Sequence, residues 1–183
     1  MPRRRSGALR IALVGTRGVP ARYGGFETAV EEVGRRLADA GHEVVVYCRT
    51  TADAPRPAEH LGMRLVHLPA LRRRSLETLS HTGLSVAPLL AHRVDAAIVF
   101  NAANAPWLPL LRAARIPVAT HVDGLEWKRA KWGGAGKRYY RVVEALSVRW
   151  SDALIADAQG IADYYRDEFA ASTEQIAYGA PKI

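Results

Sequence analysis

Short apolar runs and amphipathic stretches alternate along the chain with few interruptions. Residues 9–14 (LRIALV) form an apolar run ended by Gly15, too short for a helix and suited to a strand buried on both faces. After a polar loop, Phe26, Val30, Val33 and Leu37 recur at helical spacing, and Ala40-Gly41 closes that helix. Residues 43–47 (EVVVY) are β-branched again and predict a second strand. The unit is therefore strand, glycine-rich turn, helix, strand.

The rhythm continues to the end of the chain. Strands are predicted at residues 64–68, 95–100, 117–121 and 153–156, with a last short one at 175–178. Helices are predicted at 75–91, where Pro88 should kink or end the element, at 107–114 and at 160–169. Between the fifth and sixth strands, Tyr139, Val142, Val143, Leu146 and Trp150 make one apolar helix stripe, with Arg138, Arg141 and Arg149 on an adjoining face. Residues 50–60 resemble a linker. This alternation predicts an α/β fold: a Rossmann-like open parallel sheet with helices on both faces and right-handed crossovers.

A chain of 183 residues, 49% of them hydrophobic, is enough for one sizeable core. We expect a basic, disordered start at residues 1–8 and a single domain over 9–183. The lone cysteine, Cys48, excludes an intramolecular disulfide and any zinc-type cysteine spacing, which suits a reducing compartment. No apolar stretch reaches the roughly 20 residues of a membrane span, so a cytoplasmic location is expected. Net charge is +8, gathered at Arg3 to Arg5, at Arg72 to Arg74 and across Lys128 to Arg141, which favours anionic partners.

In an open parallel sheet, ligands bind at the carboxyl ends of the strands. The residues just beyond those ends are Gly15 to Gly18, then Tyr23, Gly24, Gly25 and Glu27, then Asn101 and Asn104, then His121, Asp123, Gly124, Glu126 and Trp127, then Asp157 and Gln159. Gly24 and Gly25 sit where the first helix begins, so backbone N–H groups and the positive end of the helix dipole can face an anion at close range. A dinucleotide fingerprint would need G-x-G-x-x-G directly after the first strand and an acid closing the second. The loop reads Gly15-Thr16-Arg17-Gly18-Val19-Pro20 and the second strand closes on Tyr47-Cys48-Arg49. Arg49 could meet a 2′-phosphate, which keeps an NADP-binding oxidoreductase domain as an alternative.

Two long segments, GVPARYGGFET (residues 18–28) and HVDGLEWKR (residues 121–129) with Lys131-Trp132, resemble the N-terminal domain of rhamnosyltransferase-type bacterial glycosyltransferases of family 4. The resemblance extends from the first strand to Tyr178-Gly179-Ala180. It implies the GT-B architecture, two Rossmann-like domains facing across a cleft, of which this chain is the acceptor-side half. It also implies a C-terminal donor-binding domain absent from this chain, without which turnover is not expected. Gly24 and Gly25 match the loop that approaches the donor diphosphate and sugar, with Arg17 and Arg22 as possible cationic help. His121 matches the histidine lining the reaction centre, and Asp123 and Glu126 follow as acceptor-positioning or acid/base groups. The implied reaction retains anomeric configuration, uses a nucleotide-sugar as substrate, and needs no metal or other cofactor.

The acceptor side would be served by Trp127, Lys128, Arg129, Lys131 and Trp132, whose aromatic and basic groups suit a polyprenyl-linked saccharide or an anionic membrane face. A peripheral place on the inner face of the cell membrane follows as an expectation. A noncatalytic nucleic-acid-binding or membrane-binding module is the remaining alternative. Its nucleic-acid form predicts a continuous basic stripe, whereas the basic residues here are scattered over several loops, and nucleic acid is not expected as a partner.

Overall fold

The computed structural model describes residues 7–21, 24–50, 55–71, 77–122 and 134–177. The elements in chain order are β1 (Arg10–Val14), α1 (Gly24–Asp39), β2 (Glu43–Arg49), β3 (Glu59–His60), β4 (Met63–Leu68), α2 (Glu77–Ala91) and β5 (Ala96–Phe100). A 3-10 helix (Ala102–Trp107) leads into α3 (Leu108–Ala113), followed by β6 (Val118–Val122), α4 (Gly134–Trp150), β7 (Ala153–Ala156), α5 (Gln159–Phe169) and β8 (Glu174–Gln175).

The strands form one sheet in the order β3-β4-β2-β1-β5-β6-β7-β8. All neighbours pair in parallel except β3 with β4. The chain first builds outward from β1 to β2 and β4, then returns to the other side of β1 for β5 and the rest. With right-handed crossovers, that reversal puts α1 on one face and α2 to α5 on the other. The side chains agree. Ile11, Leu13, Val44, Val46 and Phe100 pack with Val30 and Phe26 of α1. On the opposite face Ala12, Val14, Val45, Tyr47, Ala97, Val99 and Val118 pack with Val86 and Leu89 of α2, Leu108 and Leu111 of α3, and Tyr140 and Val143 of α4. Further along, Tyr165 of α5 closes over Val122, Leu154 and Ala156. The expected parallel α/β sheet is therefore present, and the place where strand order reverses lies between β1 and β5.

Several expectations are corrected. The segment taken for a linker contains β3, which turns back antiparallel on β4 through Leu61 and Gly62, both at positive φ. Pro88 does not end α2: it lies in the last turn, and His92 N still donates to Pro88 O at 3.0 Å. The carbonyl deprived of its helical donor belongs to Leu84 on the exposed side, 48% exposed, where the loss is least costly. The buried stripe of α4 is Tyr140, Val143, Glu144 and Ser147, whereas Val142 is 51% exposed. Val143, Leu146 and Trp150 of the expected stripe do pack on the core, and apolar spacing missed the inward positions Glu144 and Ser147 because they are polar. Glu144 is tolerated there because Tyr164 of α5 donates to its Oε2 at 2.8 Å, and burial pushes the carboxyl pKa up. The last strand is Glu174–Gln175, earlier than expected.

Candidate functional site

The loop after β1 is held from several sides. Gly15, at φ +101°, passes so close to β5 that a Cβ there would stand 2.2 Å from Phe100 O and 2.8 Å from Asn104 Nδ2. Thr16 is buried and its Oγ1 accepts from Gly18 N at 3.1 Å. Gly18, at φ +98°, lies against Cys48, and Arg49 N donates to Arg17 O at 2.9 Å. Further on, Ala21 N donates to Glu31 Oε2 at 2.8 Å, and the same oxygen meets His60 Nε2 at 2.9 Å. A loop of such composition is shaped by backbone hydrogen bonds into α1 and by close packing on β2 and β5.

That loop delivers the chain to the amino end of α1, where Gly24 and Gly25 are exposed. Gly24 has φ +79° and a Cβ would come 2.9 Å from Glu27 Oε2. Glu27 Oε1 accepts from Arg17 N at 3.4 Å, so one carboxylate already sits in the first turn. The next residue, Phe26, joins the two sequence motifs. Its ring meets His121 edge-on, centroids 5.4 Å apart and planes at 82°. Phe100 at the end of β5 stacks on the same imidazole, 5.4 Å apart and 17° from parallel.

His121 lies at the carboxyl end of β6 and is only 4% exposed. Burial pulls its pKa below the ordinary value, against an opposing pull from Asp157 beyond β7. Its backbone is fixed too, because Asn101 N donates to His121 O at 3.0 Å. Asn101, at φ +75°, caps the 3-10 helix by accepting from Ala103 N at 2.8 Å. Asn104 is buried and its Nδ2 donates to Phe100 O at 2.8 Å. Tyr139 completes this support by donating to Ala103 O at 2.9 Å. Asn101 and Asn104, which stand at a strand end, thus shape the backbone around the site. Gln159 donates to Asp163 at 3.0 Å on the surface of α5.

The structure thus brings together Gly24, Gly25 and His121 at the carboxyl edge of the sheet, with Arg17 exposed on the neighbouring loop. Arg22, Asp123, Glu126, Trp127, Lys128, Arg129, Lys131 and Trp132 lie outside the described residues, as do the clusters Arg3 to Arg5 and Arg72 to Arg74. Among the described residues there is no group of three or more His, Cys, Asp or Glu side chains able to hold a metal, and no helix long and apolar enough to cross a membrane.

Arg49 is not offered to a phosphate. Its side chain is 8% exposed, pairs with Glu77 at 3.4 Å and donates to Thr78 Oγ1 at 2.7 Å, tying β2 to the start of α2. Beside it His81 is fully buried, and burial pushes its pKa down to about 4. Neither the pair nor His81 was legible as a site from sequence, since His81 has no flanking motif. The NADP alternative is not favoured.

No curated protein sequence matches the chain. Solved structures do. A sucrose-phosphate synthase from Thermosynechococcus elongatus superposes with TM-score 0.71 at 20% identity, covering 94% of this chain and 48% of that one. The Anabaena protein HepE, in complex with UDP and glucose, gives 0.66 at 18% identity, covering 94% and 45%. A Medicago truncatula protein complexed with UDP-glucose gives 0.60 at 12% identity, covering 94% and 51%. At these identities the likeness is one of fold, and the chain spans about half the length of each of these structures. The family is shown by sequence: residues 24–179 match the model of the glycosyl transferase 4-like domain, and the chain belongs to that family of glycosyltransferase domains.

Proposed function

We propose that this chain is the acceptor-side half of a GT-B glycosyltransferase that moves a sugar from a nucleoside diphosphate donor to an acceptor hydroxyl with retention of configuration. The observation that carries this reading is the junction of α1 and β6: Phe26, directly after Gly24 and Gly25, packs on His121. Solved proteins of the same fold are recorded with UDP and glucose or with UDP-glucose, which supports a nucleotide-sugar as the donor class. In the reaction the bond from the anomeric carbon to the diphosphate oxygen breaks, the acceptor oxygen bonds that carbon, and the acceptor proton leaves with the diphosphate.

In this reading the exposed glycine backbone admits the donor sugar and diphosphate, and Arg17 and Arg22 oppose the growing negative charge. His121, held neutral by burial, hydrogen-bonds the transferred sugar. Asp123 and Glu126 position the acceptor, with Trp127, Lys128, Arg129, Lys131 and Trp132 contacting a lipid-linked or anionic acceptor at the cytoplasmic membrane face. In a GT-B enzyme of this kind a second domain facing residues 9–183 supplies the remaining donor contacts, and the chemistry is proposed to run without a metal. Rhamnose, on a route to a cell-surface polysaccharide or glycolipid, is the proposed sugar. The test is nucleoside diphosphate release from a panel of UDP-, dTDP- and GDP-sugars with lipid-linked acceptors. Acceptor-dependent release supports the reading; oxidation of NADPH without release overturns it.

A further inference from the structure

We propose that Asp157 is the positioning residue for His121, holding the imidazole from the end of β7 and supplying the counter-charge when the ring is protonated. The placement follows from strand register. In the β6–β7 pair His121 lies opposite Ile155. Asp157 follows directly after Ala156, the last residue of β7, two residues beyond Ile155, and so stands at the strand end next to that of His121, across a gap of about 4.8 Å between strands. Asp157 is half-buried, and its Oδ1 is buried with no hydrogen-bond partner among the described residues. A buried carboxylate oxygen in that condition is costly unless a cation or donor balances it.

Among the described residues, the surroundings of the imidazole point to Asp157 as the balancing charge. From α1 it meets the Phe26 ring, and from β5 the Phe100 ring, both apolar. Glu27, next to Phe26, is turned to the Arg17 amide and to Gly24. From β7 come Ile155 and then Asp157. Of the charged groups among the described residues, Asp157 is the one that raises the basicity of the ring, against burial that lowers it. Two aromatic neighbours set where the ring sits, and a carboxylate sets its orientation and its charge.

The pairing itself does not depend on what the protein transfers; its catalytic consequence rests on the glycosyl-transfer reading above. The test is an NMR pH titration of the chain labelled with 13C and 15N, without any sugar donor. In the wild type the Asp157 carboxyl carbon should show an inflection at the pH where His121 titrates; its absence overturns the pairing without any substitution. In Asp157→Asn the His121 ring should lose about tenfold in proton affinity, and Asp157→Glu should recover part of it. An unmoved His121 titration in a folded Asp157→Asn protein overturns the proposal. Because no donor is present, failure of the glycosyl-transfer reading would leave both readouts unchanged.

Discussion

The Phe100 ring stacks on the His121 imidazole with centroids 5.4 Å apart and planes 17° from parallel. The two residues are register partners on neighbouring strands, so the stack is a direct product of β5–β6 pairing. It couples the site histidine to the point of strand-order reversal, where Gly15 packs under the Phe100 carbonyl. Replacing Phe100 with Leu should cost about 1–2 kcal/mol of stability and broaden the His121 ring resonances, read by denaturant unfolding and by NMR.

Gly15 tolerates no side chain. At φ +101°, with Phe100 O only 2.2 Å from a hypothetical Cβ, Gly15→Ala meets backbone on one side and left-handed strain on the other. A loss of about 2–4 kcal/mol is expected, whereas Gly41→Ala, at φ +94° but in open space, should cost less. The pair of thermal melts separates strain from collision.

His81 makes stability depend on acid. Its folded pKa of about 4 lies below the ordinary 6.5 because burial disfavours the cation. The unfolded chain therefore binds the proton more tightly, and stability is complete above about pH 6.5 and falls as the pH drops towards 4. Between pH 7 and pH 4.5 this one group should remove about 2–3 kcal/mol. His81→Leu should flatten that part of the unfolding midpoint against pH, and an equally steep dependence in the variant would contradict the assignment.

Arg49 and Glu77 form a partly buried pair in which the arginine is the more enclosed partner. Glu77→Gln should destabilise by about 1–3 kcal/mol, since it leaves the guanidinium without its counter-charge. Removing both charges with Arg49→Met and Glu77→Gln together should cost less than the sum of the two changes. A double-mutant cycle by urea unfolding checks this.

Much of the fold could be read from the chain because its strands are buried on both faces and therefore uninterrupted, as in Ile11 to Val14 and Val44 to Cys48. The reading failed where polar residues face inward or where tertiary contacts decide. Glu144 and Ser147 are buried in α4, positions that apolar spacing missed. β3 exists because Glu59 and His60 can pair with β4, and no local pattern announces it. His121 stands out in the sequence through its motif and its strand-end position, but its contact with the Phe26 ring depends on how α1 packs on the sheet. Asp157 stood only as one of several polar residues at strand ends, because its relation to His121 depends on the register of β6 with β7.

The most direct test of the account is sugar transfer by the protein that carries this chain, isolated at its native length, comparing wild type with His121→Ala. The account predicts acceptor-dependent release of nucleoside diphosphate that falls about a hundredfold or more in the variant, with folding retained. Transfer at the wild-type rate by His121→Ala would contradict the placing of the reaction centre at the carboxyl end of β6.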